Sequence, residues 1–355
     1  MPAKKSPLTI FVGILTFFVI LAVLILVHEL GHFTLAKVMG VRVEEFGLGF
    51  PPRLRSWKLR GTVYSLNALP LGGFVKMTGE NGEDDDPASF AAKAPWQRLL
   101  ILLFGPVMNL TLAVGIFFFA FMGGSPRGLT IVTGVSAGSP AALAHIRVGD
   151  TIVDAGGVHV NYLSDLQHIT TSHLGKPLKI KVVRNHRFRT VSLVPRPKPP
   201  VNQGPMGIAL SKVTTVTYSP GTALRMSVQQ VADMIGSIPL LLQNVSQHGG
   251  GQVTGPIGIA HLTTQVVQQE PQQGPSSLFL FVALLSANLG VLNLLPIPAL
   301  DGGRIVFVLL SWARRRNLNP EIEGVIHMVG MAVLLMLILV ISYQDIVRWV
   351  TGGTF

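Results

Sequence analysis

Apolar residues fill four long stretches of the chain, and these stretches organise the rest of the sequence. They cover residues 8–38, 97–123, 277–312 and 324–350. Each contains a run of about 20 residues with few or no charges, which is the length that crosses a bilayer as a helix. Pro296 and Pro298 lie inside the third stretch, so we expect its helix to be interrupted there. The pattern predicts a polytopic α-helical membrane protein with four transmembrane helices.

The segments between these stretches have three different patterns. Residues 41–78 contain two strand-like runs on either side of Arg60-Gly61, which predicts a hairpin in a membrane-associated β-sheet segment. Residues 128–210 contain several short strand-like runs, which predicts a small soluble domain. Ser219-Pro220 then combines a capping side chain with proline at a first helical position. It predicts that residues 219–262 form an amphipathic helical region on the membrane surface or against the spans.

Composition supports a membrane protein and limits its chemistry. The mean hydropathy is +0.50, and 13% of the residues are charged. These values are typical of a multi-pass membrane protein with one soluble insert. The chain has no cysteine, which excludes disulfides, thiolate metal ligands and a thiol nucleophile. Any bound metal must therefore be held by His, Asp, Glu or Asn side chains.

The net charge of +11 indicates orientation rather than nucleic-acid binding. No nucleic-acid-binding motif accompanies the charge, so we expect no nucleic-acid partner. Basic residues are concentrated between the first two apolar stretches and at residues 314–316, which predicts that both connections are cytoplasmic. Because the number of predicted spans is even, both termini and residues 128–210 would be extracytoplasmic. The acidic run at residues 80–86 is interpreted as a solvated loop.

Two histidines lie one helical turn apart near the end of the first apolar stretch. They belong to His28-Glu29-Leu30-Gly31-His32 and would share one face of a helix. Two imidazole ligands and an adjacent glutamate fit a zinc-protease site, in which the glutamate is the general base for the attacking water. The alternative is a chance pair of histidines. Ionisable groups inside an apolar span are costly, so their presence favours the functional interpretation.

A third protein ligand is expected, because a catalytic zinc usually has three and keeps one position open. Asp301 is the candidate, since this carboxylate lies at the predicted cytoplasmic end of another apolar stretch, level with the end of the first. The ligand types favour zinc among the divalent ions. The sequence therefore predicts one catalytic Zn²⁺.

Four motifs together resemble the site-2 protease family. They are His28-Glu29-Leu30-Gly31-His32, Phe104-Gly105-Pro106-Val107-Met108-Asn109, the stretch from Asn293 to Gly303, and a Ser139-Pro140-Ala141 and Gly149-Asp150-Thr151-Ile152 pattern that is similar to PDZ domains. The similarity runs nearly end to end and is closest to the bacterial regulator-of-sigma-E protease branch, with one PDZ domain rather than two. It implies a multi-pass protein of the bacterial cytoplasmic (inner) membrane, with an extracytoplasmic PDZ domain and an active site near the cytoplasmic side.

The resemblance also implies roles for single residues. The zinc ligands would be His28, His32 and Asp301, and the general base would be Glu29. Substrate-contacting residues near the site would be Asn293, Asn288, Gly72, Gly73, Phe74 and Val75. The last four of these belong to a strand whose edge would pair with the substrate. The carboxylate-binding loop of the PDZ domain would be Met206-Gly207-Ile208, for which peptide C-termini are candidate ligands.

These expectations describe an intramembrane zinc metalloendopeptidase that cleaves transmembrane segments of single-pass substrates in regulated intramembrane proteolysis. The substrate would be an anti-sigma factor after a first cut, or remnant signal peptides. One alternative is a catalytically inactive membrane PDZ scaffold or chaperone of the same fold, and the intact His28, Glu29 and His32 disfavour it. A second alternative is a metal transporter, which is disfavoured because the second apolar stretch has no carboxylate that would line a path.

Overall fold

The computed structural model describes residues 7–80, 86–127, 130–160, 163–184, 187–200, 203–210, 214–238, 254–273, 276–315 and 320–351. The chain forms two compact units. The first comprises Met1–Met122 and Ser219–Phe355, and the second comprises Gly123–Tyr218.

The elements follow one another in an order that separates long helices from a block of short strands. They are α1 (Pro7–Val38), β1 (Val43–Leu59), β2 (Thr62–Met77), α2 (Pro95–Gly124), β3 (Ser125–Arg127), β4 (Thr130–Val135), α3 (Pro140–Leu143), β5 (Thr151–Ala155), β6 (Val158–His159), α4 (Leu163–Ser172), β7 (Leu178–Arg184), β8 (Arg187–Leu193), β9 (Ile208–Leu210), β10 (Thr214–Val216), α5 (Pro220–Gly236), α6 (Pro256–Gln273), α7 (Ser276–Asn293), α8 (Asp301–Arg314) and α9 (Pro320–Thr351).

Among the described residues, three helices are long and apolar enough to cross a membrane. They are Phe11–Val38 of α1, Pro95–Gly124 of α2 and Glu321–Thr351 of α9. The stretch predicted as the third span is divided into the shorter apolar helix α7 and the separate helix α8. Large apolar side chains on α9 are exposed, for example Met328 at 67% and Leu339 at 70%. A continuous surface of this kind is suited to lipid rather than water, so the chain is a membrane protein.

Small residues let the helices of the first unit approach closely. A Cβ atom added to Gly13 of α1 would lie 2.4 Å from Thr264 Oγ1 of α6, and one added to Gly31 would lie 2.4 Å from the Phe104 carbonyl oxygen of α2. Glycine at such positions brings backbones together where lipid provides no hydrophobic driving force. At the start of α6, the buried Asp345 of α9 accepts backbone N–H groups from Gly255 and Gly258 at 3.0 and 2.8 Å. This carboxylate satisfies amides at the start of α6.

The strands β1 and β2 pair antiparallel and are joined at Arg60-Gly61, the position that the sequence predicted for the hairpin. Within the register, residues 45–48 of β1 lie beside residues 63–66 of β2 and also beside residues 73–76. Among the described strands, residues 73–76 pair only with β1. They therefore form an outer edge of this sheet.

The second unit contains a six-stranded sheet in the order β8-β7-β5-β4-β9, with β6 paired to β5. Its core is a cluster of fully buried aliphatic side chains that includes Val132, Ile152 and Ile180. Asp150 is also buried and accepts two 2.6 Å hydrogen bonds from the Arg184 guanidinium. Burial opposes the charge of Asp150, but the bonds from Arg184 and from a backbone amide outweigh burial and lower the pKa of this carboxyl. The short strands β3 and β10 pair with each other outside this sheet.

The interpretation of residues 80–86 as a solvated loop is wrong for Glu80. Its side chain is only 14% exposed and forms an ion pair with Arg304 of α8. Asp86 at the other end of the run pairs with Arg42 at 2.7 Å, and residues 81–85 lie outside the described residues. The sequence did not reveal the partner of Glu80, because Arg304 is 224 positions away.

Candidate metal centre

The described structure brings His28, His32 and Asp301 together in one buried cluster. The Nε2 atoms of the two histidines are 3.2 Å apart. The Asp301 Oδ2 atom lies 3.0 Å from His28 Nε2 and 3.3 Å from His32 Nε2. Both histidines are nearly inaccessible, with exposures of 7% and 6%. The helical spacing of α1 places the two imidazoles, and the start of α8 supplies the carboxylate.

The chemistry of this donor set fits a cation. His32 Nδ1 lies 2.8 Å from the Ile101 carbonyl oxygen, which can only accept. In the neutral ring Nδ1 therefore carries the proton, and Nε2 directs a lone pair toward Asp301. Lone pairs that converge in a buried site repel one another unless a cation lies between them. Ligands about 2.0–2.1 Å from a tetrahedral zinc are about 3.3–3.4 Å apart, close to the three separations found here.

Two glycines allow α2 to pass directly over these histidines. A Cβ atom added to Gly105 would lie 2.2 Å from His32 Nε2. Gly31, between the histidines, faces the Phe104 carbonyl at a similarly short distance. A side chain at either position would separate α1 from α2 or push an imidazole aside. Helix packing at the metal centre thus explains the glycine of the second motif.

The loop at residues 294–300 positions Asp301. Pro296 and Pro298 end the helical path, and the loop folds back onto the first turn of α8. Cβ atoms added to Gly302 and Gly303 would lie 2.0 and 2.5 Å from carbonyl oxygens of this loop. Ala299 has a φ of +77°, and its amide donates to His327 Nδ1 of α9 at 3.0 Å. The Asp-Gly-Gly sequence therefore fits a carboxylate that must sit directly beneath a folded-back loop.

The edge of β2 lies against the predicted base. A Cβ atom added to Gly73 would be 2.9 Å from Glu29 Cγ and 2.9 Å from Ile25 Cγ2. Val75 is buried in the core beside α1 and α2. The ring of Phe50 occupies the space that a side chain at Gly72 would need, and the ring of Phe74 occupies the corresponding space at Gly47. The strand that was predicted to contact the substrate is thus adjacent to Glu29.

The other predicted substrate residues are not part of the cluster. Asn288 is exposed on α7, and Asn293 Nδ2 donates to the Leu289 carbonyl of its own helix at 3.1 Å. Met206, Gly207 and Ile208 belong to the second unit. There the Met206 and Gly207 carbonyls accept from Ala141 and Ser136, and Ile208 pairs with Val135 of β4.

Sequence reasoning missed two polar contributions around the centre. Asn109 of α2 is fully buried, and its Nδ2 atom lies 3.3 Å from His28 Nδ1. Arg304, one turn after Asp301, pairs with Glu80, whose second oxygen accepts from the Met77 amide at the end of β2. A signal existed for Asn109, because an amide side chain in the middle of an apolar stretch needs a partner. The sequence contained no signal for the pairing of Arg304 with Glu80.

Comparisons with known proteins agree with this geometry. The model of peptidase family M50 matches residues 16–337. A protein of Clostridium acetobutylicum is 35% identical over 329 residues, which cover 92% of this chain and 94% of the relative. The regulator of sigma-W protease RasP of Bacillus subtilis is 27% identical over 422 residues, covering 94% of this chain and 98% of the relative. The zinc metalloprotease RasP of Geobacillus kaustophilus is 27% identical, with coverage of 95% and 98%.

Proposed function

Because the chain belongs to peptidase family M50, the site-2 protease family, and is a zinc metalloprotease, we propose that it cleaves transmembrane segments of single-pass proteins inside the membrane. The observation that carries the proposal is the convergence of His28, His32 and Asp301 at the end of an apolar helix, with Glu29 beside them. The lipid bilayer surrounds this site. A soluble protease would have no use for metal-binding side chains inside a span.

In the proposed mechanism His28, His32 and Asp301 hold one zinc ion. When bound, zinc would polarise the scissile carbonyl and acidify a water molecule. The Glu29 carboxylate takes a proton from the attacking water and returns it to the nitrogen of the leaving amine. Burial of the site strengthens each of these interactions, because little bulk water screens them.

The substrate is proposed to pair with the β2 edge. A transmembrane helix shields its peptide bonds with internal hydrogen bonds, so a segment must unwind before it can be cut. Residues Gly73 to Val75 offer an outer strand edge next to Glu29. Addition of the unwound segment to this edge replaces the lost helical hydrogen bonds and holds the scissile bond extended. An apolar cavity of about 450 Å³ between the Pro298 loop and α9 is suited to a lipophilic segment near the same site.

The second unit is proposed to be an extracytoplasmic PDZ domain that filters substrates with bulky external domains. Its Ser139-Pro140 turn, its Gly149-Asp150 turn and its β-rich core support this interpretation. The proposed topology has four spans, with both termini outside and the metal centre toward the cytoplasm. Removing residues 128–210 should admit substrates with larger external domains, and an unchanged preference in a series of substrate sizes would contradict the filter.

The proposed substrates are anti-sigma factors after a first cut, or remnant signal peptides. Comparing the membrane proteomes of cells with the wild-type protein and with Glu29→Gln tests this directly. Single-pass fragments should accumulate in the variant cells. A catalytically inactive scaffold would be indifferent to the substitution, so identical proteomes would overturn the proposal and favour that alternative.

A further inference from the structure

Asn109 is a fully buried amide that the mechanism above does not use. It lies in the middle of the apolar helix α2, where an unpaired polar group is costly. Its Nδ2 atom is 3.3 Å from His28 Nδ1. Its Oδ1 atom is buried and has no hydrogen-bond partner among the described residues. One side of this amide therefore faces a metal-ligand histidine, and the other is unsatisfied.

The proton positions of His28 conflict with this orientation once the imidazole binds a metal. A neutral imidazole that coordinates through Nε2 carries its proton on Nδ1. The N–H group would then face Nδ2 of Asn109, which is also a donor. Two donors cannot bond to each other. Turning the amide by 180° about its last side-chain bond exchanges its two ends and brings Oδ1 to the same place.

We propose that Asn109 is a positioning residue of the metal centre, whose side-chain oxygen accepts the Nδ1–H of His28. This interaction fixes the ring's orientation and leaves the Nε2 lone pair directed at the ion. The rotation gives Oδ1 a partner and moves Nδ2 to the side of the amide where Oδ1 has none among the described residues. The inference rests on the proposed role of His28 as a zinc ligand.

His32 supports the inference because it already has the equivalent arrangement. Its Nδ1 atom is 2.8 Å from the Ile101 carbonyl oxygen, also on α2. The Ile101 backbone carbonyl of α2 thus accepts from His32, and the Asn109 side chain of the same helix lies beside His28. The Asn109 backbone is itself held, because the buried Ser286 hydroxyl of α7 donates to its carbonyl oxygen at 2.8 Å. The amide therefore extends from a fixed point toward His28.

The test is zinc affinity of the full-length protein in detergent, measured by competition with a chelator. Asn109→Leu removes the acceptor, and Asn109→Asp keeps an oxygen of the same reach that can only accept. Loss of such a supporting contact typically weakens metal binding about 10- to 100-fold. We expect this loss for Asn109→Leu and near wild-type affinity for Asn109→Asp. Thr111→Val is the matched control, because Thr111 is exposed on the same helix and, within the described part of the chain, its hydroxyl donates only to the Val107 carbonyl.

A second measurement separates positioning from general damage. In the cobalt-substituted protein, Asn109→Leu should change the visible absorption of the metal, whereas Asn109→Asp and Thr111→Val should not. Unchanged zinc affinity in Asn109→Leu would overturn the inference. So would a loss of zinc affinity of about 10- to 100-fold relative to the wild type in Asn109→Asp, and this result is decisive even if the leucine variant does not fold. His28→Ala is measured alongside. If it retains zinc, the proposed metal centre is wrong, whereas zinc loss in His28→Ala alone rejects only the role of Asn109.

Discussion

Replacing Gly105 with alanine tests whether the close passage of α2 over α1 shapes the metal centre. The new Cβ atom would start 2.2 Å from His32 Nε2. Uncharged atoms approach comfortably at about 3.5 Å, so the imidazole or the helix must move by more than about 1 Å. The imidazole is held at Nδ1 by the Ile101 carbonyl, which leaves it little freedom to turn. A shift of this size moves Nε2 out of bonding range of a zinc ion, because Zn–N bonds are about 2.0–2.1 Å long.

The expected result for Gly105→Ala is a loss of activity of about 100-fold or more, because a misplacement of about 1 Å at a reacting centre has that effect. Zinc affinity should fall as well. Gly115→Ala is the matched control on the same helix, since a Cβ atom there has no neighbour within 4 Å. Alanine is favoured over glycine in a helix by about 0.8–1.0 kcal/mol, so the control should be as stable as the wild type or slightly more stable.

The assay is zinc content and cleavage of a single-pass substrate by the two purified variants. Thermal unfolding in the same detergent shows whether each variant is folded. If Gly105→Ala binds zinc and cleaves like Gly115→Ala, the packing of α2 does not constrain His32.

Three further predictions concern the strand edge, its link to α8 and the second unit. Phe74→Pro should reduce cleavage by more than about 10-fold with zinc retained, because proline removes a backbone N–H from the strand. Phe74→Ala is the control, since it keeps this donor. Equal activity of the two variants would contradict strand pairing. Glu80→Arg and Arg304→Glu should each reduce activity, because each places two like charges side by side at a part-buried position, and the double swap should recover part of the activity. No recovery would exclude the pairing. Asp150→Asn should cost about 1.5–3 kcal/mol at pH 7, measured by hydrogen exchange of the full-length protein. Folding lowers the pKa of Asp150, so the ionised carboxylate contributes its stability above the unfolded pKa of about 4, and this stability is lost as the pH falls through the folded pKa. A stability difference between the wild type and Asp150→Asn that persists in acid would contradict this prediction.

The parts of the site that are local in sequence could be predicted, and the parts that depend on distant contacts could not. Helical periodicity alone places His28 and His32 on one face, and two prolines predict the break before Asp301. Turn chemistry at Arg60-Gly61 predicts where the hairpin reverses. These features follow from short-range geometry, which the chain carries within a few residues.

Asn109 and Glu80 illustrate what was missed. The partner of Asn109 is 81 positions away and the partner of Glu80 is 224 positions away. Charge patterning treats an acidic run as solvated because most runs are, and only the tertiary fold brings Arg304 beneath Glu80. The double pairing of residues 45–48 was also not predictable, because strand register depends on which edges meet.

The proposed function requires that Glu29 performs hydrolysis inside a membrane span. The most direct measurement uses the purified, zinc-loaded protein in liposomes with a single-pass substrate, and maps the cut by mass spectrometry. The wild type should cut within the apolar segment, and a chelator should abolish the reaction. Glu29→Gln should retain zinc and be slower by about 10²–10⁴-fold, the usual contribution of a general base. Cleavage outside the apolar segment, or equal rates with Glu29→Gln, would contradict the account.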